Sequence, residues 1–193
     1  MKNEVVLASH NPGKLREFQQ LLEDSPFQVC LYPATGEIVA ETGDHYAENA
    51  RLKARFVAQS TGSLALADDS GIEVDALDGL PGVHSARFVG SDPWRNSREI
   101  LTRLMAVAPQ ARTARMRAAL CLAWPDGRLM EAEGVLEGVI LGWPKGSQGF
   151  GYDPIFSIDG QHSLAELPFG EKNRLSHRAQ AVRALVSNLS RDR

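Results

Sequence analysis

Leu64-Ala65-Leu66-Ala67-Asp68-Asp69-Ser70-Gly71 is an apolar run closed by two adjacent carboxylates and a turn-forming pair. The run reads as a short buried strand, and it is predicted to end where the acids begin, with Ser70-Gly71 as the turn. Unpaired charge at the end of a buried strand is costly. A divalent cation offsets that cost, because hard oxygen ligands suit Mg²⁺ and the ion can in turn hold phosphates. A plain turn is the other reading of the tetrapeptide, since Asp and Ser both bond local backbone and Gly accepts positive φ. The position after an apolar strand, together with a further acid at Glu41 before the next helix, favours the cation.

Upstream, Val5-Val6-Leu7-Ala8 reads as a buried strand, followed by the polar loop Ser9-His10-Asn11 and by Pro12, a helix start with an Asn cap. Leu15, Phe18 and Leu22 recur at helical spacing, so the first unit is strand, tight loop, helix. A second helix is expected over about residues 44–59, with a stripe of Tyr46, Ala50, Ala54, Val57 and Ala58. Downstream, Gly79-Leu80-Pro81-Gly82 is a turn, and Asp92-Pro93 starts a third helix with Ile100, Leu101, Leu104, Met105 and Ala108 on its inner face. The period then changes to two. Met116, Ala118, Leu120, Leu122 and Trp124 alternate with Arg115, Arg117 and Cys121, and Asp126-Gly127 turns into a strand from Leu129 to Val139. Glu131, Glu133 and Glu137 fall on one face of it, which predicts a sheet with one solvated side. Ser176 caps a final helix built on Val182, Leu185 and Leu189. The fold class is α/β: a mixed β-sheet flanked by helices, in one domain spanning 1–193.

The chain's 193 residues suffice for one sizeable core. With 21 basic against 24 acidic residues the net charge is −3, which argues against a polyanion-binding surface but not against a small anion in a local pocket. Cys30 and Cys121 form no recognisable zinc motif or disulfide framework, so a reducing cytoplasm is the expected compartment. No run approaches the ~20 apolar residues of a membrane span, and no leader pattern is visible at Met1-Lys2-Asn3-Glu4.

A strand turning into a helix aims backbone N–H groups and the positive helix end at the loop, and Lys14 adds a full charge. The loop is no P-loop, because Ala8 and Leu15 stand where Gly and Ser or Thr are required. It is therefore either an anion site or an ordinary capped helix with a solvated lysine. Lys53, four residues after Asn49, reads by itself as part of a solvated pair. Gly149-Phe150-Gly151-Tyr152-Asp153-Pro154 sets two rings among glycines, suited either to stacking on a flat ligand or to filling core. Lys172 and Ser176-His177-Arg178 put positive charge at a helix start, where acids are usual, which points to an anion nearby or to a surface cluster.

Taken together, Ser9-His10-Asn11-Pro12-Gly13-Lys14, Glu41-Thr42-Gly43 with Glu48-Asn49-Ala50, Ala67-Asp68-Asp69-Ser70-Gly71, Pro81-Gly82 with Ser85-Ala86-Arg87, Gly149-Phe150-Gly151-Tyr152-Asp153-Pro154 and Ser176-His177-Arg178 resemble the noncanonical purine nucleoside triphosphate pyrophosphatases, the inosine/xanthosine triphosphatase (Ham1-like) family. The resemblance covers nearly the whole chain, in order. It implies hydrolysis of ITP, dITP or XTP to the monophosphate and pyrophosphate, with Mg²⁺, in a homodimer whose elongated two-lobed fold has a central active-site cleft. Carried over by matching positions, Asp69 is general base and metal ligand, and Glu41 and Asp68 complete the metal set. Ser9, His10, Asn11, Pro12, Gly13 and Lys14 line the triphosphate and Lys53 serves catalysis beside it. Ser70 contacts the nucleotide, and Phe150, Gly151, Tyr152, Asp153, Lys172, His177 and Arg178 hold base and sugar. Net charge and the lack of a long apolar run lead to no expected nucleic-acid or membrane partner.

Three other readings stay open on the sequence: a nucleotide sensor that turns nothing over, a pyrophosphatase for modified pyrimidine nucleotides, and a nucleic-acid binder using Arg112, Arg115 and Arg117. The intact acids oppose the first, and the net acidity opposes the last.

Overall fold

In the computed structural model, which describes residues 2–37 and 39–191, β1 (Asn3–Leu7) buries Val5, Val6 and Leu7 and feeds α1 (Pro12–Leu21) through a tight loop. The chain returns as β2 (Phe27–Leu31), parallel to β1 with Val5 opposite Val29. α2 (Tyr46–Thr61) then leads to β3 (Ala65–Val74), which pairs in parallel with the other side of β1, Leu7 opposite Leu66. Connections thus leave β1 and β3 in opposite directions, and ligands in α/β sheets favour the strand carboxyl ends at such a switch point. α3 (Pro93–Arg103), β4 (Thr113–Ala123), β5 (Leu129–Ile140), β6 (Phe156–Ser157), α4 (Phe169–Leu175) and α5 (His177–Arg191) complete the chain. Strand order is β2-β1-β3-β4-β5-β6, with β5 and β6 antiparallel, so the sheet is mixed, as the sequence predicts.

The chain divides into two compact units, one of Met1–Asp69, Ala118–Gly134 and Arg178–Arg193, the other of Ser70–Arg117 and Val135–His177. The first has its own core, in which Phe18 and Leu22 of the α1 segment and Ala181, Val182 and Leu185 of α5 pack with Val5, Leu7, Leu66, Leu120 and Leu122 of the strands. The second is built on Ile72, Val74, Ile100, Leu104, Met116, Ile140, Ile155 and Phe156.

Several expectations change. The strand carrying the acids does not stop at Ala67: β3 runs on through Asp68, Asp69, Ser70 and Gly71 to Val74. The reason is the apolar pair beyond the acids, since Ile72 and Val74 are fully buried and anchor the second core. Ile72 N–H also donates to Ser85 Oγ at 2.9 Å. Met105, expected on the inner face of α3, is 75% exposed, and Ala108 is exposed too, because the helix ends at Arg103 and its period lapses after Leu104. The one-sided solvation of β4 holds only to Arg117; from Ala118 to Ala123 every residue is buried, the intervening Ala119, Cys121 and Ala123 being small enough for close packing. β2, β6 and α4 are too short for periodicity to mark them.

Gly138 shows how tightly β6 approaches β5. A Cβ there would run into Ser157 O and lie 2.6 Å from the Phe156 ring, whereas a Cβ on Gly142 has 3.7 Å to its nearest neighbour, Arg112. Overpacking a closed site costs about 1–3 kcal/mol. Gly138→Ala is therefore expected to lower the melting temperature by roughly 2–4 °C per kcal/mol, while Gly142→Ala leaves it within a degree or so; thermal melting followed by circular dichroism compares the two.

Candidate active site

Asp68 and Asp69 are neighbours on an extended strand, so their side chains point to opposite faces. The contacts follow that alternation. Asp68, 2% exposed, meets α1 and α5: its Oδ2 accepts from Lys14 Nζ at 2.6 Å and from Arg178 Nε at 3.2 Å. Arg178 Nη1 in turn donates to Glu17 Oε2 at 3.0 Å, and Glu17 is fully buried. Asp69 meets α2: Asn49 Nδ2 donates to its Oδ2 at 3.1 Å, and Lys53 Nζ to its Oδ1 at 3.1 Å. Lys53 Nζ also reaches Glu41 Oε1 at 2.5 Å and the main-chain oxygen of Asp68 at 3.0 Å.

The carboxylates of Glu41, Asp68 and Asp69, the metal set that the resemblance implies, fall into two clusters. The Asp68 carboxylate belongs to a cluster in which two cations, Lys14 and Arg178, face two carboxylates. In the other cluster a single ammonium, Lys53, stands between two carboxylates, Glu41 and Asp69. Among the described residues no three His, Cys, Asp or Glu side chains gather as a metal site. The donor set around Lys53 nevertheless fits a hard cation. Two carboxylate oxygens and a main-chain carbonyl converge on one positive group, and Mg²⁺ is usually held by one or two carboxylates together with substrate phosphates.

The electrostatics follow the same division. Burial pushes the Asp68 carboxyl up, but Lys14 and Arg178 outweigh it and hold the group far below the ordinary carboxylate range. Burial lowers Lys14 against the pull of Asp68. Asp69 is raised, first by burial and then by Glu41, with Lys53 opposing. Burial works to lower Lys53, yet Asp69 and Glu41 prevail and its value rises.

The first loop is built as predicted, with one difference. Asn11 caps α1, its Oδ1 accepting from Gly13 N at 2.8 Å and Lys14 N at 3.4 Å, while Ser9 Oγ accepts from Asn11 N at 3.1 Å. Pro12 opens the helix without a donor. The Gly13 and Lys14 amides are therefore held by the cap, as the capped-helix reading has it, and Lys14 carries the loop's positive charge. His10 turns the other way, its Nε2 3.0 Å from Pro33 O and its ring stacked on Tyr32. Asn49 and Lys53, read from spacing as a solvated pair, are instead buried and half-buried on α2. Gly43 makes room for the Glu48 and Asn49 side chains, since a Cβ there would lie 2.8 Å from Glu48 and 2.9 Å from Asn49 Oδ1. Asn49 and Glu17 are the functional candidates that sequence reasoning missed. The signal for Asn49 was its spacing to Lys53; for Glu17 it was a lone acid beside Phe18 on the apolar face of α1.

In the second unit, Asp153 Oδ2 accepts from Phe150 N at 2.8 Å and from the buried Lys172 Nζ at 2.7 Å. The same ammonium lies 5.0 Å from the centroid of the Phe150 ring, a cation–π contact. Gly149, at φ +76°, is obligatory, because a Cβ would meet the Asp153 carboxylate and sit 3.2 Å from Lys172 Nζ. Gly151 O accepts from Ser97 Oγ at 3.3 Å, and Tyr152 OH donates to Ser85 O at 2.7 Å, burial raising the phenol above its usual value. Ser70 lies half-buried on β3, and His177 is buried at the start of α5. The arginines of the nucleic-acid reading are occupied: Arg115 pairs with Glu73, Asp75 and Glu137, Arg117 with Glu73, and Arg112 Nε donates to Val107 O. No helix among the described residues is long and apolar enough to cross a membrane.

The sequence profile of the Ham1 family matches residues 5–188. A dITP/XTP pyrophosphatase of Desulforamulus reducens is 46% identical over 97% of this chain and 96% of its own length, and one of Bacillus subtilis is 42% identical over 94% of each. Among solved structures, a HAM1 protein from Coxiella burnetii superposes with a TM-score of 0.84 at 38% identity, covering 99% of this chain and all of that one. The Ham1 protein of Staphylococcus aureus gives 0.85 at 33% identity, covering 98% of this chain and all of its own.

The Asp68 cluster has a testable consequence for stability. Its folded-state value lies below the unfolded one, so its contribution is complete above the unfolded carboxylate value of about 3.9 and is lost as pH falls from there through the depressed folded value. Asp68→Asn is expected to cost about 3–5 kcal/mol near neutral pH, as a buried pair broken on one side does. In thermal melts of wild type and variant across pH 7 to pH 3, the gap should narrow below about pH 4.

Proposed function

Since the chain belongs to the Ham1 family, we propose that it hydrolyses noncanonical purine nucleoside triphosphates, ITP, dITP and XTP, to the monophosphate and pyrophosphate. The reaction clears deaminated purines before they enter DNA or RNA. The observation that carries the reading is Asp69, a buried carboxylate gripped at both oxygens by Asn49 and Lys53, beside Glu41.

Glu41 and Asp69, with the main-chain oxygen of Asp68, are the residues to hold Mg²⁺. When bound, the ion polarises phosphate oxygens and lowers the pKa of water. Asp69 orients and deprotonates the water that attacks the α-phosphorus, and the upward shift of its carboxyl moves it toward the range in which a general base works well. The α-phosphorus to bridging-oxygen bond breaks, and pyrophosphate leaves. Lys14, presented by the Ser9–Asn11 loop and the Pro12-Gly13 helix start, compensates the charge gathering on that leaving group, and Lys53 joins it at the phosphates. Ser70 contacts the nucleotide. Phe150, Gly151, Tyr152, Asp153, Lys172, His177 and Arg178 take base and sugar, by the family resemblance.

Base choice rests on the oxygen at purine position six, where adenine carries an amino donor. Arg178 is the proposed reader: two carboxylates, Glu17 and Asp68, fix its guanidinium, and a fixed donor rewards a carbonyl and leaves an amino group unpaired. A homodimer, on the resemblance, and a cytoplasmic location, on the sparse cysteines Cys30 and Cys121, complete the proposal.

A nucleotide panel with Mg²⁺, with pyrophosphate and orthophosphate assayed separately, is expected to show pyrophosphate from ITP, dITP and XTP and none once EDTA is added. Asp69→Asn should lower turnover by about 10²–10⁴-fold without shifting the melting curve by more than a few degrees; near-normal release refutes the role. Arg178→Ala should erode the ITP over ATP preference by at least about ten-fold, and an unchanged ratio removes Arg178 as the reader.

A further inference from the structure

Lys53 is held unusually completely. An ammonium has three protons, and Lys53 Nζ makes three oxygen contacts: 2.5 Å to Glu41 Oε1, 3.0 Å to the Asp68 main-chain oxygen and 3.1 Å to Asp69 Oδ1. These oxygens are the same ones that suit a hard divalent ion. The two cations are therefore rivals for one position.

We propose that Lys53 is a built-in counter-cation that closes the oxygen cage of Glu41, Asp69 and the Asp68 carbonyl to a divalent ion arriving alone, so that the metal is taken up together with a nucleoside triphosphate. The inference rests on the pyrophosphatase reading above and adds to it an order of events. A bare divalent ion entering the cage meets an ammonium already bonded to all three of its oxygens, and like charges at that range repel strongly where water is scarce. A triphosphate changes both sides of the exchange. Its oxygens supply part of the ion's coordination, and its negative charge gives the flexible lysine a new partner. The tether suits such an exchange: Lys53 sits on α2 one turn after Asn49, which keeps the far oxygen of Asp69 in place whether or not the ammonium stays. Lys14 is the internal comparison. It touches one of the three cage oxygens, the Asp68 carbonyl at 3.3 Å, but its carboxylate contact is to Asp68 at 2.6 Å and it reaches neither Glu41 nor Asp69.

The test uses Mn²⁺ alone as probe, titrated into the full-length protein without nucleotide and followed by the electron paramagnetic resonance of the free ion. Wild type, Lys53→Met, Lys14→Met and Lys53→Met/Asp69→Asn are compared, each first checked for a cooperative melt, with Lys53→Gln as a second variant should the Met form not fold. Lys53→Met or Lys53→Gln is expected to bind Mn²⁺ at least ten-fold more tightly than wild type, Lys14→Met less than three-fold, and the double variant no better than wild type. A hydrolysis-resistant inosine triphosphate analogue should raise Mn²⁺ retention by wild type at least ten-fold. Equal affinities of wild type and both Lys53 variants overturn the proposal. An equal gain in Lys14→Met also overturns it, because the effect is then one of net charge. Failure of the underlying reading registers separately, as wild type that releases no pyrophosphate from ITP with Mg²⁺, however the Mn²⁺ titration falls.

Discussion

Two ionised carboxylates on consecutive residues of a buried strand are the constraint from which the first unit is organised. A strand cannot turn both to the same side, so each needs its own source of positive charge on its own face. On one face α1 brings Lys14 and α5 brings Arg178; on the other α2 brings Lys53, with Asn49 as a neutral donor. The three helices are thereby tied to the middle strand by charge as well as by apolar packing. Glu17 follows from the same need: a guanidinium drawn inward to Asp68 carries donors that a single carboxylate oxygen does not satisfy, and the buried acid on α1 accepts one of them.

The asymmetry between the faces assigns them different chemistry. Around Asp68, two cations and two carboxylates compensate each other, and the carboxyl is driven far down. Such a group stays ionised and holds position. Around Asp69, one ammonium lies between two carboxylates, and the carboxyl is driven up. That is the environment in which a carboxylate exchanges protons or accepts a further cation. Adjacent residues of one type thus receive opposite electrostatic treatment, and the backbone alternation of β3 is what separates them.

The sequence was most legible where local rules act alone. Asn11-Pro12 and Asp92-Pro93 mark helix starts through capping and the fixed φ of proline, and both helices begin there. Asp126-Gly127 marks the turn between β4 and β5. The acid pair was legible as a site but not as a geometry, because a run ending in Asp-Asp-Ser-Gly looks like the end of a strand until Ile72 and Val74 are given a core to enter. Lys53 and Asn49 illustrate the same limit. Spacing shows that they share a helix face, but only the fold shows that this face is turned to Asp69. Lys172 likewise reads as either the partner of a nearby anion or part of a surface cluster until Asp153 is placed 2.7 Å from it.

Buried ion clusters of this kind are poor devices for stability, since well-packed apolar residues of similar volume often serve as well or better. Their presence in both units therefore calls for another explanation, and position supplies one. In the first unit the charges lie at the carboxyl end of parallel strands, at the switch point between β1 and β3 where α/β sheets bind ligands. In the second, Asp153 and Lys172 brace a loop whose glycine at 149 admits no side chain and whose Phe150 ring faces the ammonium. Sequences conflict with the rules of apolar burial mainly where function requires it. A chain that buries Glu17, Asp68, Asp69, Lys172 and Arg178 within otherwise regular apolar cores has conceded stability at those points to keep charge in fixed places.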